Sequence, residues 1–243
     1  MLGNNKNFNH LKVHTQYSIC EGAIRIDKLA EYCKSNKIKT LGLADSYNLC
    51  GALEFSEKIS KAGTHPIIGT QVNLNAHDII GKVTLYATSK IGYKNLTKLS
   101  SLSYLKNNET TEPSCSLKDL DENNEGLILL TGNYTNFFGK LFYKNKLKDF
   151  EQILKTLNNN FTDRLYIEIQ RHNEFQEKNF ENYLLNISKS LNIPLIATQE
   201  IFYLDEEMYE AHDALICIGE KNFVDDKNRF RYNNHHILNL KLN

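Results

Sequence analysis

The sequence predicts an α/β fold, with a largely parallel sheet and helices packed outside it. Three observations lead there. Short apolar, β-branched runs alternate with longer stretches along the chain. The longer stretches repeat their apolar residues every three to four positions, as amphipathic helices do. The short runs number seven, which suits a closed barrel.

In chain order, FNHLKVH at 8–14 alternates apolar and polar residues and reads as the first strand. Residues 26–36 have helical spacing, with Asp27 placed to charge or cap the helix start. The apolar run 40–44 is a buried strand, and the glycine of a polar turn leads from it into a helix over 51–62. Strands over 66–74 and 82–87 follow, then a helix over 92–106. KNNETTEPSCS, at 106–116, is polar, contains a proline and reads as a surface loop. Strands at 126–131, 164–170 and 194–198 complete the set, with helices over 147–157 and 175–191 between them. Asp205 stands where it can cap a later helix.

The 243 residues are 41% hydrophobic and 24% charged, an ordinary globular balance, and one domain over 1–243 is the simplest organisation. Net charge is zero, so no whole-molecule field favours a phosphate backbone. The five cysteines form no CxxC pair and suit reduced, mostly buried thiols. No signal-peptide core and no apolar run long enough for a membrane span is present, so the expectation is a cytoplasmic protein without a membrane partner.

Several polar residues follow apolar runs, where barrel strands present groups to a ligand. His14 ends the first strand and Asp45 the second, although Asp45 also suits capping of the turn after it. Glu21, Gln71, Asn133 and Glu200 stand at comparable places. His10 and His14, four apart on one strand, would share a face about 13 Å apart, too far to hold one metal ion. His235 and His236 read as a surface pair, and Arg229, Phe230, Arg231 and Tyr232 as an alternating edge strand or, less simply, a nucleic-acid contact. Phosphate-loop, dinucleotide, nucleophile-elbow and HExxH motifs are absent.

Nine blocks in order, from HLKVHTQYS, ADSYNLCGALEF and HPIIGTQVNL through VTLYATSKIGYKNLTKLSS, NEGLILLTG, YIEIQRHNE, PLIATQEIFYL and AHDALICIG to RFRYNN, resemble a known domain. It is the polymerase and histidinol phosphatase (PHP) domain at the N-terminus of bacterial DNA polymerase III alpha subunits. The resemblance implies a distorted (β/α)7 TIM-like barrel whose metal-bearing members hold divalent ions at the rim for phosphoester hydrolysis.

Compared with that ligand set, Lys12 replaces the first histidine of an HxH pair and His14 keeps the second. Asp45 remains, but Ser46 stands for histidine and Gln71 for glutamate. Lys82 replaces a histidine, Asn133 a cysteine, and Glu200 with Phe202 the closing Asp-x-His. Glu21 takes an aspartate position. The resemblance therefore implies a vestigial rim with no catalytic residue and no cofactor, because two ammonium groups repel an arriving divalent cation. If an ion of Zn, Mn or Mg is held at all, the remaining ligands are His14, Glu21, Asp45 and Glu200.

The implied role is a silent module in DNA replication, partnered by the rest of the polymerase alpha subunit and by the proofreading exonuclease subunit. DNA would be met only through the full polymerase, whose palm, fingers and later domains this segment lacks. The alternative is an active metal-dependent phosphoesterase or 3′-5′ exonuclease.

Overall fold

The computed structural model describes residues 8–106 and 112–238. Among them, nine strands form one curled sheet: β1 (Lys12–Val13), β2 (Thr40–Ser46), β3 (His65–Ala76), β4 (Ile79–Ala87), β5 (Cys115–Ser116), β6 (Leu127–Leu130), β7 (Leu165–Ile169), β8 (Leu195–Ala197) and β9 (Glu200–Ile201). The α-helices are α1 (Ile26–Ser35), α2 (Ala52–Lys61), α3 (Lys90–Leu105), α4 (Leu117–Glu122), α5 (Phe137–Tyr143), α6 (Leu147–Phe161), α7 (Glu177–Leu191) and α8 (Tyr209–Glu220).

The strand order is β8-β7-β6-β4-β3-β2-β1-β9, with β5 added beside β3. The end strands β8 and β9 are separated in the chain only by Thr198 and Gln199. The sheet must therefore curl until its two ends meet, and it forms the expected distorted barrel. Tyr86 of β4 reaches across to donate to the Leu11 carbonyl at 2.9 Å.

The sheet is largely parallel, as expected, and its one exception is β4, which runs antiparallel to both β3 and β6. The cause is local: His77 and Asp78 both have positive φ, 51° and 60°, so a two-residue turn folds β3 straight back into β4. A parallel return would need a crossover of about a dozen residues.

The first strand is also shorter than expected. The strand proper is Lys12–Val13, so His10 precedes it and His14 follows it, each tied to a neighbouring strand by one backbone hydrogen bond. Helices α4 and α5 and the two-residue strand β9 lay in segments with no predicted element, whereas α8 follows the helix start expected at Asp205. Of the expected loop over 106–116, residues 107–111 fall outside the described residues, while Cys115–Ser116 joins β3.

Two apolar clusters hold the helices against the sheet. The larger joins Val72, Leu85 and Leu129 to Leu96, Phe138, Phe150 and Leu184. The smaller joins Val13, Leu41 and Leu43 to Leu29, Phe55 and Ile59. Each such side chain contributes about 1.5–3 kcal/mol on burial. Asp205 accepts from the Met208 N–H as a cap, and Asp27 sits in the first turn of α1. Cys33, Cys115 and Cys217 are free and buried, Cys20 is half-buried and Cys50 is exposed.

Candidate functional site

The upper rim of the barrel is built from the C-terminal ends of parallel strands and the beginning of the antiparallel one. Ser46 ends β2 and is in register with Gln71 of β3. Because β4 runs the other way, Lys82 near its start lies opposite Asn73 and so joins the same end. Lys12 pairs with Glu200 across β1 and β9. The hairpin is thus what places a lysine from an antiparallel strand among residues at parallel strand ends.

Lys12 lies at the centre and is fully buried. Its Nζ is 3.2 Å from Glu168 Oε1 and 3.5 Å from Glu200 Oε1. It makes no aligned hydrogen bond, so charge at ion-pair distance carries the contact. Glu200 Oε1 also lies 3.1 Å from His14 Nε2 and accepts from Gln71 Nε2 at 2.6 Å. Its Oε2 accepts from Asn133 Nδ2 at 3.2 Å. Burial opposes ionisation of Glu200, but Lys12, then His14 and Lys82, outweigh it and hold the carboxyl well below the usual range.

A second ion pair sits beside it. Lys82 Nζ donates to Glu21 Oε1 and Oε2 at 2.7 and 2.9 Å and to Ser46 Oγ at 3.0 Å. Ser46 in turn donates to Glu21 Oε2 at 2.5 Å. Burial works against both charges, yet their mutual attraction prevails, lowering the Glu21 carboxyl and raising the Lys82 ammonium.

Asp45 has the capping role. Its oxygens accept from the Thr15 N–H at 2.6 Å, Thr15 Oγ1 at 2.7 Å and Ser18 Oγ at 2.7 Å. Burial pushes this carboxyl up, and those bonds offset only part of the shift. Phe202 stacks on His14 with ring centroids 4.6 Å apart. The rim residues from Lys12 to Phe202 therefore do converge.

Glu168 is the principal group that sequence reasoning missed. It is fully buried and accepts from the Gly132 N–H at 2.9 Å, from Gln170 Nε2 at 2.7 Å and from Thr198 Oγ1. The available signal was an acid inside the otherwise apolar run YIEI. A histidine layer was missed as well. His172 and His236 stack with centroids 4.0 Å apart and bracket Glu200, His172 Nε2 accepting its N–H and His236 Nδ1 donating to its carbonyl.

The expected surface pair His235 and His236 is therefore corrected: His236 is buried, because the chain after Asn233 turns inward and Ile237 bridges to Tyr203. The expected edge strand around Arg229 and Arg231 is irregular. Arg229 makes a two-pronged pair with Asp213 of α8 at 2.6 and 2.5 Å, Arg231 lies over the Tyr209 ring, and Tyr232 packs on Phe202.

The donor set fits a divalent cation poorly. Both oxygens of Glu21, Glu200 and Asp45 already accept from protein groups, and two ammonium groups stand between them. Among the described residues, no three His, Cys, Asp or Glu side chains are placed to hold one ion.

This barrel and its converging rim define a PHP-type domain, and the PHP domain family matches residues 10–172, more than half of the chain. The chain belongs to the PHP domain family. It is 35% identical over 242 residues to a DNA polymerase III subunit alpha of Caulobacter vibrioides, covering 94% of this chain and 21% of that protein. Against the DNA polymerase III subunit alpha of Rickettsia felis it is 37% identical over 213 residues, covering 87% and 18%. The chain thus spans about a fifth of the length of these relatives.

Among solved structures, a protein of Bifidobacterium adolescentis assigned provisionally as a metal-dependent phosphoesterase matches with TM-score 0.56 at 11% identity, covering 79% of this chain and 86% of the other. An amidohydrolase of Chromobacterium violaceum matches with TM-score 0.50 at 9% identity, covering 85% and 96%. These likenesses support the fold.

Proposed function

We propose that this chain is the PHP barrel of a replicative DNA polymerase alpha subunit, metal-free and catalytically silent. In that reading it works in the cytoplasm as a structural module of DNA replication and as a docking surface for a separate proofreading exonuclease subunit. Its similarity to polymerase alpha subunits over most of its length supports the replication role.

The observation that carries the silent reading is the Lys12 ammonium, within 3.5 Å of both Glu168 and Glu200. It neutralises carboxylates that a hydrolytic centre would need free for metal ions. Glu21, held by Lys82, is spent in the same way.

The test is a phosphoesterase and single-strand 3′-end degradation assay with added Mn²⁺ or Zn²⁺, run beside a binding assay with the proofreading subunit. Binding without turnover is expected. Metal-dependent turnover that disappears in Asp45→Asn overturns the silent reading, and absence of binding overturns the docking role.

A further inference from the structure

At the opposite end of the barrel from the rim lies an open groove of about 750 Å³. Its walls are Ile67 and Ile68 at the start of β3, Tyr86 and Ala87 at the end of β4, Ile128 at the start of β6 and Tyr93 on α3. Ile67, Ile68 and Ile128 are only half-buried, and Tyr93 keeps 43% exposure. The barrel's lower layer is therefore apolar and, among the described residues, uncapped.

The groove's charge is one-sided. Lys90, Lys94 and His65 line it, and among the described residues no aspartate or glutamate does. Lys90 and Lys94 are exposed and make no ion pair with any described residue. They also occupy the first turns of α3, whose first turn holds no acidic residue. Cations there oppose the helix dipole, an arrangement that an arriving carboxylate relieves.

The geometry is fixed by a close backbone approach. A side chain on Gly92 would come within 1.9 Å of the Gly126 carbonyl oxygen, so the α3 start is held against the entry to β6. We infer that this groove docks an acidic peptide segment, with a large apolar side chain between Ile67, Tyr86 and Ile128 and carboxylates on Lys90 and Lys94. The inference does not depend on the silent rim.

The probe is a displayed library of random dodecapeptides panned on the purified chain. The expected result is enrichment of sequences pairing large apolar residues with Asp or Glu, their binding weakening with salt. Lys90→Glu/Lys94→Glu should weaken binding by about tenfold or more, since like charges then face each other. Tyr93→Ser should weaken it too. Lys178→Glu/Lys189→Glu on α7 makes the same change in net charge far from the groove and should leave binding unchanged.

No enrichment, or enriched peptides indifferent to Lys90→Glu/Lys94→Glu, overturns the inference. A second copy of the chain as occupant, seen as concentration-dependent dimerisation abolished by Tyr93→Ser, overturns it as well.

Discussion

Lys12 Nζ lies 3.2 Å from Glu168 Oε1, and neither side chain has any solvent exposure. A buried charge left without its partner is destabilising by about 3–5 kcal/mol. Lys12→Met should therefore cost about that much in urea unfolding, because it strands Glu168 and uncovers Glu200. Adding Glu168→Gln should return part of the loss, giving a favourable coupling in the double-mutant cycle. Lys82→Met should cost less, about 1 kcal/mol, because Lys82 and Glu21 keep 20% and 25% side-chain exposure. Equal losses for the two lysines would contradict this ranking.

Stability should fall as pH drops below neutral. Burial first, and then the stacked His172, push the His236 imidazole down to about 3 from an ordinary 6.5. The unfolded chain takes up that proton near 6.5 and the folded one does not, so stability is lost as pH falls through this window. One such proton gives a slope of at most about 1.4 kcal/mol per pH unit. Glu200, lowered in the folded state, adds its own loss only below its unfolded value near 4.5. His236→Gln should flatten the slope between about pH 6.5 and 5, where carboxylates in the unfolded chain remain ionised. An unchanged slope in urea midpoints would contradict the assignment.

The pair between Arg229 and Asp213 ties the segment after α8 to the barrel, with side-chain exposures of only 6% and 3%. Arg229→Ala should release that segment. Trypsin cleavage at Lys221, Lys227 or Arg231 should then precede cleavage in the rest of the barrel. A digestion pattern like that of the parent protein would contradict this role.

Much of this site was legible before the fold was known. The rim residues were found by their places after apolar runs and by their correspondence with a ligand pattern, and both kinds of signal survive folding. The direction of β4 was not legible, since His77 and Asp78 do not form one of the usual hairpin dipeptides. Glu168 was hidden by its apolar neighbours, which made its strand look like simple core. His236 was misread because the irregular chain around it owes its burial to contacts with Tyr203, His172 and Glu200, distant in sequence.

Lys12→His alone should not create a tight site for Zn or Mn. Ser46, Gln71, Lys82 and Phe202 still stand where ligands are needed, and the Lys82 ammonium still holds both Glu21 oxygens. Titration calorimetry should show no saturable metal binding, and a stoichiometric isotherm would show that the rim needs only one change.

The central claim is that lysine ammonium groups take the place of metal ions at this rim. Elemental analysis of the protein purified without chelator tests it most directly. Zn, Mn and Fe well below one equivalent, with a thermal midpoint unmoved by later addition of chelator, is the predicted result. A stoichiometric metal whose removal lowers the midpoint would contradict it.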